Sequence, residues 1–364
     1  MAWRDDEGGA KLSLVIGAPA PWFVAFTRQT ETFHFSAGGG RYILVAILPD
    51  AGERRDEAMV RLLRARPQFD DQRISAFAVL GDRTRFDQTA DQLPGLRWIW
   101  DRDGAIARSW GATDAEGRTA GLWALIDPSL RVLDVAAIDE ADRIFAAVEK
   151  LGSPEDHAGT PLNAPVLIVP RVFEPELCQR LVDVYESRGG APSGVMRERG
   201  GKTLPFLDAS KNRRDAIIED ETLQALLRRR LAQRLLPEIK RAFQFQVTRI
   251  ERYIVACYDA EEGGFFRAHR DDTTPGTAHR RFACSINLNA EDFEGGDLIF
   301  PEFGRRSYRP PTGGAVVFSC SLLHEATRVT RGRRYAFLPF FYDEAAEAIR
   351  QANLASVTHP QERA

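Results

Sequence analysis

Six histidines occur in the chain, and one of them is followed two positions later by an acid: His269-Arg270-Asp271. On an extended segment, residues i and i+2 point to the same side, so this imidazole and carboxylate can face one point in space. His324 follows the apolar run Ala315-Val316-Val317-Phe318 after a short connection, which lets it meet the pair across a barrel. Two imidazoles and one carboxylate form the ligand set that holds non-haem Fe(II) with positions left open for a co-substrate and O₂. The pair alone is a weak signal, since an isolated histidine is more often a surface or core residue. Its surroundings strengthen it. Ten residues after His324 comes Arg334, in Gly332-Arg333-Arg334-Tyr335 at the start of the last apolar strand. An arginine inside a barrel is a permanent planar cation and needs an anion, which a dicarboxylate co-substrate would supply through paired hydrogen bonds. Arg333 is the rival, but adjacent strand residues face opposite sides, so only one can point inward. His279 reads as a loop residue outside the site.

The elements that must position these residues follow from hydrophobic periodicity. From Thr248 onward, strands recur every 10–15 residues between Gly, Pro and Asp: Ile250–Tyr258, Arg281–Leu288, Asp297–Phe300, Gly314–Ser319 and Arg334–Phe341. That spacing predicts a β-sandwich or jelly roll. Ahead of it lie a strand at Val166–Val169, a helix at Pro175–Ser187, a Gly-rich stretch at Arg188–Asp208 and a helix over Asp220–Phe243 that Pro237 should kink or end. Arg228, Arg229, Arg230 and Arg234 read as the solvated back of that helix rather than a phosphate site.

The first part of the chain alternates strand and helix patterns. Tyr42–Leu48, Ile74–Leu80 and Arg97–Trp100 read as buried strands. A helix carrying Ala58, Met59, Leu62 and Leu63, and a polar helix near Arg83–Leu93, lie between them. Leu122–Ile126 and Arg131–Ala136 flank the turn Asp127-Pro128-Ser129, and Ala141–Leu151 closes the series as a helix. The reading is α/β followed by mainly β, with Gly152–Pro165 as the linker. The expected domains are 1–151, the linker 152–165, an oxygenase domain 166–346 and a tail 347–364.

At 364 residues, with 44% hydrophobic and 28% charged residues, the chain has material for two cores. A formal charge of −3 argues against a nucleic-acid-binding protein, and no apolar run is long enough to cross a bilayer. The acidic start MAWRDDEGG is unlike a signal peptide, so the cytoplasm is the expected compartment. Cys178, Cys257, Cys284 and Cys320 sit singly in apolar segments and read as buried, reduced thiols, while residues 1–177 contain no cysteine.

Segment Tyr253–Asp343 resembles the iron(II)/2-oxoglutarate oxygenases of the prolyl 4-hydroxylase type. The likeness runs through VACYDAEEGGFFRAHRD, RRFACSINLN, FEGGDLIFPEFG, RPPTGGAVVFS and LLHEATRVTRGRRYAFLPFFYD. It implies a double-stranded β-helix (jelly roll) with supporting helices. His269, Asp271 and His324 would be the iron ligands, Arg334 would hold the distal carboxylate of 2-oxoglutarate, and Tyr258 would donate its hydroxyl to that co-substrate. Some members carry a tyrosine on the strand after the HxD loop. Here Arg281–Asn289 has none, and Asn287 is the candidate replacement. Having Asp271 rather than a small residue argues against halogenation. The resemblance implies that 2-oxoglutarate and O₂ become succinate and CO₂ while a C–H bond of a peptidyl or small-molecule substrate is hydroxylated. Ascorbate use is expected of the family, and residues 188–208 are a candidate lid.

Residues 12–151 resemble the peroxiredoxin branch of the thioredoxin fold, through Gly17-Ala18-Pro19-Ala20-Pro21-Trp22-Phe23, the strand ending at Pro49, and Leu122–Pro128. In that family a Thr and the peroxidatic Cys follow the proline; here Glu53 and Asp56 stand at those places. The domain is therefore expected to be redox-inactive and to serve binding, either of a protein partner or of a second copy in a homodimer. Two rival readings are a metal dioxygenase that does not use 2-oxoglutarate, and a non-catalytic scaffold.

Overall fold

The computed structural model describes residues 14–199 and 202–354. The chain divides into two compact units, Met1–Leu162 with Glu302–Gly304, and Asn163–Pro301 with Arg305–Ala364.

The first unit is built on a seven-stranded sheet. Its order is Phe33–His34, Val24–Thr27, Leu96–Trp100, Ile74–Leu80, Tyr42–Ile47, Leu122–Ile126, Val132–Ala137. The Tyr42, Ile74 and Leu96 strands pair in parallel, as expected of continuous apolar runs that must be covered on both faces. Alternation divides them: Leu44 and Ala46 pack with Met59, Leu62, Ile144 and Phe145, while Ile43, Val45 and Ile47 pack with Ile106 and Trp110. Leu63, expected on the buried side of its helix, is exposed. The helix expected near Arg83–Leu93 is only Arg83–Asp87. Glu53 and Asp56 lie in the first turn of helix Glu53–Arg64, where negative charge complements the helix dipole.

The second unit holds a larger and a smaller sheet. In the larger, consecutive neighbours are Arg249–Glu251, Phe340–Tyr342, Phe282–Asn287, Arg333–Phe337, Ile254–Asp259, Arg214–Ile217 and Ala191–Pro192. One face of it, including Val255, Cys257, Cys284, Ile286, Tyr335 and Phe337, packs on helices Pro175–Arg188 and Glu221–Arg234 through Leu177, Leu181, Leu223, Leu227 and Leu231. The polar–apolar alternation of the Phe282–Asn287 strand thus sends Cys284 and Ile286 to the helices and leaves Ser285 and Asn287 on the other face. The smaller sheet runs Lys211–Asn212, Phe265–His269, His324–Ala326, Leu298–Ile299, Ser307–Tyr308. All four cysteines are free and buried.

As expected, Pro237 breaks the long helix: it separates helix Glu221–Arg234 from helix Leu236–Phe243 and occupies the first turn of the second, where its missing N–H leaves no bond unmade. Two elements depart from expectation. The strand expected over Ile250–Tyr258 is broken at Arg252, which has φ +69°. The Gly-rich stretch is no structureless loop, since Val195–Arg199 and Lys202–Phe206 pair as an antiparallel hairpin.

Two of the four helix arginines expected to be solvated are structural. Arg230 and Arg234, one turn apart, both donate to the Glu174 carboxylate, at 2.7–3.1 Å and 2.7 Å. The Arg230 hydrogen bond leads in holding the Glu174 carboxyl down at about 2, from an ordinary 4.5. A depressed pKa adds stability that is present above about 4.5 and lost as the pH falls towards 2. Glu174→Gln should therefore lower the unfolding free energy at pH 7 by about 1–2 kcal/mol, allowing for solvent screening. Urea titrations at stepwise lower pH should find that difference shrinking between about pH 4.5 and 2.

Candidate metal centre

His269 ends the Phe265–His269 strand, and its Cα partner on the neighbouring strand is His324. The pairing is bulged: Phe266 opposes Ala326 and His269 opposes His324, so one strand advances three residues while the other advances two. In a regular strand residues three apart face opposite sides. The extra residue reverses that, and the Phe266 and His269 rings stack with centroids 3.5 Å apart and planes 19° from parallel. The bulge thus aims His269 at His324, with ring centroids 4.2 Å apart.

Asp271 lies just past the end of the strand rather than on it. Its backbone N–H donates to the Cys320 carbonyl at 2.9 Å, which ties the turn to the segment leading into His324. His269 Nε2 is 3.6 Å from one Asp271 oxygen, and His324 Nε2 is 3.3 Å from the other. The ligand atoms of the three residues lie within 4.8 Å of one another.

Each imidazole is oriented by its other nitrogen. His269 Nδ1 is 2.8 Å from the Arg267 carbonyl and His324 Nδ1 is 3.0 Å from the Leu322 carbonyl. A carbonyl can only accept, so each Nδ1 carries a proton and each Nε2 is turned towards Asp271, the orientation a metal ligand would need. Burial, and then the neighbouring His269, push the His324 pKa down to about 4, so this ring is neutral at pH 7. Burial opposes ionisation of Asp271, but the two imidazoles outweigh it and hold the carboxyl far below its usual range. Neutral imidazole and ionised carboxylate are the protonation states a divalent ion needs. Phe318 and Phe300 pack around His324 and shield that side from water.

On the larger sheet, the face turned from the helices carries the remaining candidates. Arg334 is 3% exposed, whereas Arg333 faces outward to Asp259 at 2.7 Å. Arg334 Nη2 donates to Ser285 Oγ at 2.8 Å, and its buried Nη1 has no hydrogen-bond partner. Its side chain has no carboxylate within 4 Å among the described residues, and it lies over the Tyr258 ring, centroid at 5.2 Å. Gly296, at φ +68°, lets the chain approach closely: a Cβ there would stand 3.2 Å from Arg334 Cδ. Tyr258 is the direct strand partner of Arg334, and its hydroxyl accepts from Arg213 at 3.4 Å. Asn287 is buried on the same face, but its amide donates to the Pro310 carbonyl at 2.8 Å and its Oδ1 has no partner. Ser285, not Asn287, is the strand residue that contacts Arg334. Sequence reasoning missed Ser285, although its place on the polar face was the available signal.

His279 stands apart from the three: it is buried against Glu251 at 2.7 Å and the Tyr342 ring. The candidate lid also touches the loop after Asp271, where Gly276 N–H donates to Thr203 Oγ1 of the hairpin at 3.1 Å.

A double substitution, His269→Ala with His324→Ala, should weaken Mn(II) binding more than about 100-fold by calorimetry. The melting temperature should fall only modestly, since the two rings pack on Phe266, Phe300 and Phe318 rather than against the supporting helices.

Among curated proteins, a PKHD-type hydroxylase of Synechococcus sp. is 30% identical over 122 residues, which are 31% of this chain and 54% of the relative. One from Paracoccus denitrificans is 37% identical over 93 residues, 23% of this chain and 40% of the relative. The chain spans about half the length of the curated relatives it matches. Among solved structures, a Trichoplax adhaerens prolyl hydroxylase in complex with a hypoxia inducible factor peptide fragment matches with TM-score 0.41 and 17% identity, over 51% of this chain and 87% of that one. A Pseudomonas putida prolyl-4-hydroxylase matches with TM-score 0.38 and 18% identity, over 52% and 96%. Residues 253–342, which contain His269, Asp271, His324, Tyr258 and Arg334, match the family model of the 2OG-Fe(II) oxygenase superfamily.

Proposed function

We propose that this protein is an Fe(II)- and 2-oxoglutarate-dependent oxygenase that hydroxylates an unactivated C–H bond, with His269, Asp271 and His324 as metal ligands. The observation that carries the reading is the buried Arg334 guanidinium, which among the described residues has no carboxylate partner and one nitrogen without any partner. A buried cation left in that state is costly, and a dicarboxylate whose far end reaches Nη1 and Nη2 together would relieve it. When bound, Fe(II) supplies the site at which O₂ and 2-oxoglutarate are converted to succinate and CO₂ and an oxygen atom is passed to the substrate.

The protein's own contribution is positional. The carbonyls of Arg267 and Leu322 fix the imidazole tautomers, Ser285 and Tyr258 hold Arg334 in its plane, and Phe300 and Phe318 exclude water beside His324. The Tyr258 hydroxyl already accepts from Arg213, which leaves its proton free to be donated to a bound carboxylate. Asn287 Oδ1 can only accept, so its place in the reading is to orient a donor on the ligand or a water. Ascorbate use follows from the family resemblance alone. The four buried free thiols favour the cytoplasm as the compartment, and no helix among the described residues is long and apolar enough to cross a membrane.

The first unit enters this reading as a thioredoxin-like domain without redox chemistry, in which Glu53 and Asp56 serve a helix N-terminus. Its role would then be to bind a partner or a second copy.

Succinate formation should require both Fe(II) and 2-oxoglutarate. Arg334→Ala should raise the KM for 2-oxoglutarate by about 10–100-fold, the cost of losing a charge-assisted pair of hydrogen bonds. An oxygenase that does not use 2-oxoglutarate would be indifferent to that change, and a scaffold would form no succinate. Thiol-dependent peroxide consumption should be absent from the whole protein.

A further inference from the structure

Arg334 is not the sole interior cation lacking a carboxylate. Lys211 and Arg252 are both half-buried and neither has an acid within 4 Å among the described residues, whereas the neighbouring cations Arg213 and Arg280 pair with Asp215 at 2.7 Å and Glu251 at 2.6 Å. Lys211 Nζ donates to Ser193 Oγ at 2.7 Å and the Gly194 carbonyl at 2.9 Å, which leaves one of its three protons unused. The Arg252 guanidinium donates from Nη2 to the Leu338 carbonyl at 3.2 Å, and its Nε is buried without a partner.

Each of these cations packs on an aromatic ring near the metal triad, and both Arg252 and Asp271 are close enough to act on the Lys211 charge. Lys211 Nζ lies 4.8 Å from the Phe266 centroid, and His269 stacks on that same ring. Arg252 and Arg280 both lie against Phe340, at 4.2 and 4.0 Å, and Arg280 reaches the Asp271 carbonyl at 3.5 Å. Arg252 also holds a left-handed backbone conformation that interrupts two strands. A residue without glycine's freedom keeps that conformation only where the surroundings impose it, and such positions gather at ligand sites. Burial pushes the Lys211 ammonium down to about 6 and the Arg252 guanidinium down to about 10, and the nearby Arg213 and Arg280 add to this. An anion placed between them would reverse both effects.

We infer that the substrate hydroxylated at this centre carries a carboxylate, which Lys211 and Arg252 hold while Arg334 holds 2-oxoglutarate. The inference rests on the oxygenase reading above and adds the chemical class of the second substrate. Arg213 already has its countercharge in Asp215 and also donates to Ser193 and Tyr258, so, although its Nε lacks a partner, it frames this subsite rather than supplying the unpaired charge. The carboxylate could belong to a free amino or carboxylic acid, or to an acidic side chain of a peptide.

The test follows stimulation of 2-oxoglutarate turnover by the Fe(II)-loaded full chain. One arm uses a panel of free amino acids and their amides. The other uses capped proline-containing peptides with and without one glutamate. At least one acid should stimulate while its amide or neutral counterpart does not, and the arm that responds names the source of the carboxylate. Lys211→Met and Arg252→Gln should each lower kcat/KM for that acid at least about 10-fold, with Arg252→Lys restoring part of it and unchanged melting temperatures establishing that the variants fold. The affinity of the Mn(II)-loaded variants for 2-oxoglutarate, measured by calorimetry, should stay within about two-fold of wild type, a loss smaller than one hydrogen bond. The inference is overturned if no acid in either arm stimulates, if amides and neutral peptides work equally well, or if the variants keep full kcat/KM. Failure of wild-type protein to bind 2-oxoglutarate with Mn(II) would instead overturn the oxygenase reading itself.

Discussion

The metal centre depends on one strand register, the bulged pairing that sets His269 opposite His324. Without the extra residue between Phe266 and His269, the imidazole would turn to the other face and lose both His324 and its stack on Phe266. With it, two rings and one carboxylate meet at a point, and the backbone carbonyls of Arg267 and Leu322 decide which nitrogen each ring presents. The site is therefore specified mainly by main-chain geometry. Side chains then tune it: burial keeps His324 neutral, and the imidazoles keep Asp271 ionised.

The larger sheet solves a different problem, that of keeping cations in an apolar interior. Alternation along Arg333–Phe337 sends Tyr335 and Phe337 to the helices and Arg334 to the opposite face, where Ser285 and the Tyr258 ring receive it. Lys211 and Arg252 repeat the arrangement against Phe266 and Phe340. In each case an aromatic face and one or two neutral acceptors stand where an ion pair would be expected, so each cation is held in place but left short of countercharge. That shortage fits a pocket whose ligands are anions.

Much of this was legible in the sequence because it follows from periodicity. The parity of Arg333 and Arg334, the two faces of Phe282–Asn287 and the apolar runs of the first unit all follow from a period of two. What was not legible depends on departures from that period. The bulge before His269 and the left-handed Arg252 that cuts one expected strand in two are such departures, and the hairpin in the Gly-rich stretch is built from polar strands that carry no apolar alternation. Nor could Lys211 be joined to the Arg213–Asp215 pair, since that link runs through Ser193, eighteen or more residues earlier in the chain. In the first unit the absent cysteine was plain from composition, whereas what that unit binds leaves no periodic trace.

On the proposed function, the triad and Arg334 would together hold a dicarboxylate bound to the metal. The most direct measurement is the visible spectrum of anaerobic protein with Fe(II) and 2-oxoglutarate. A charge-transfer band that needs both components, and that is lost when His269 and His324 are replaced, is the predicted result. Fe(II) bound with no band on adding 2-oxoglutarate, or a band that survives loss of both histidines, would contradict the account.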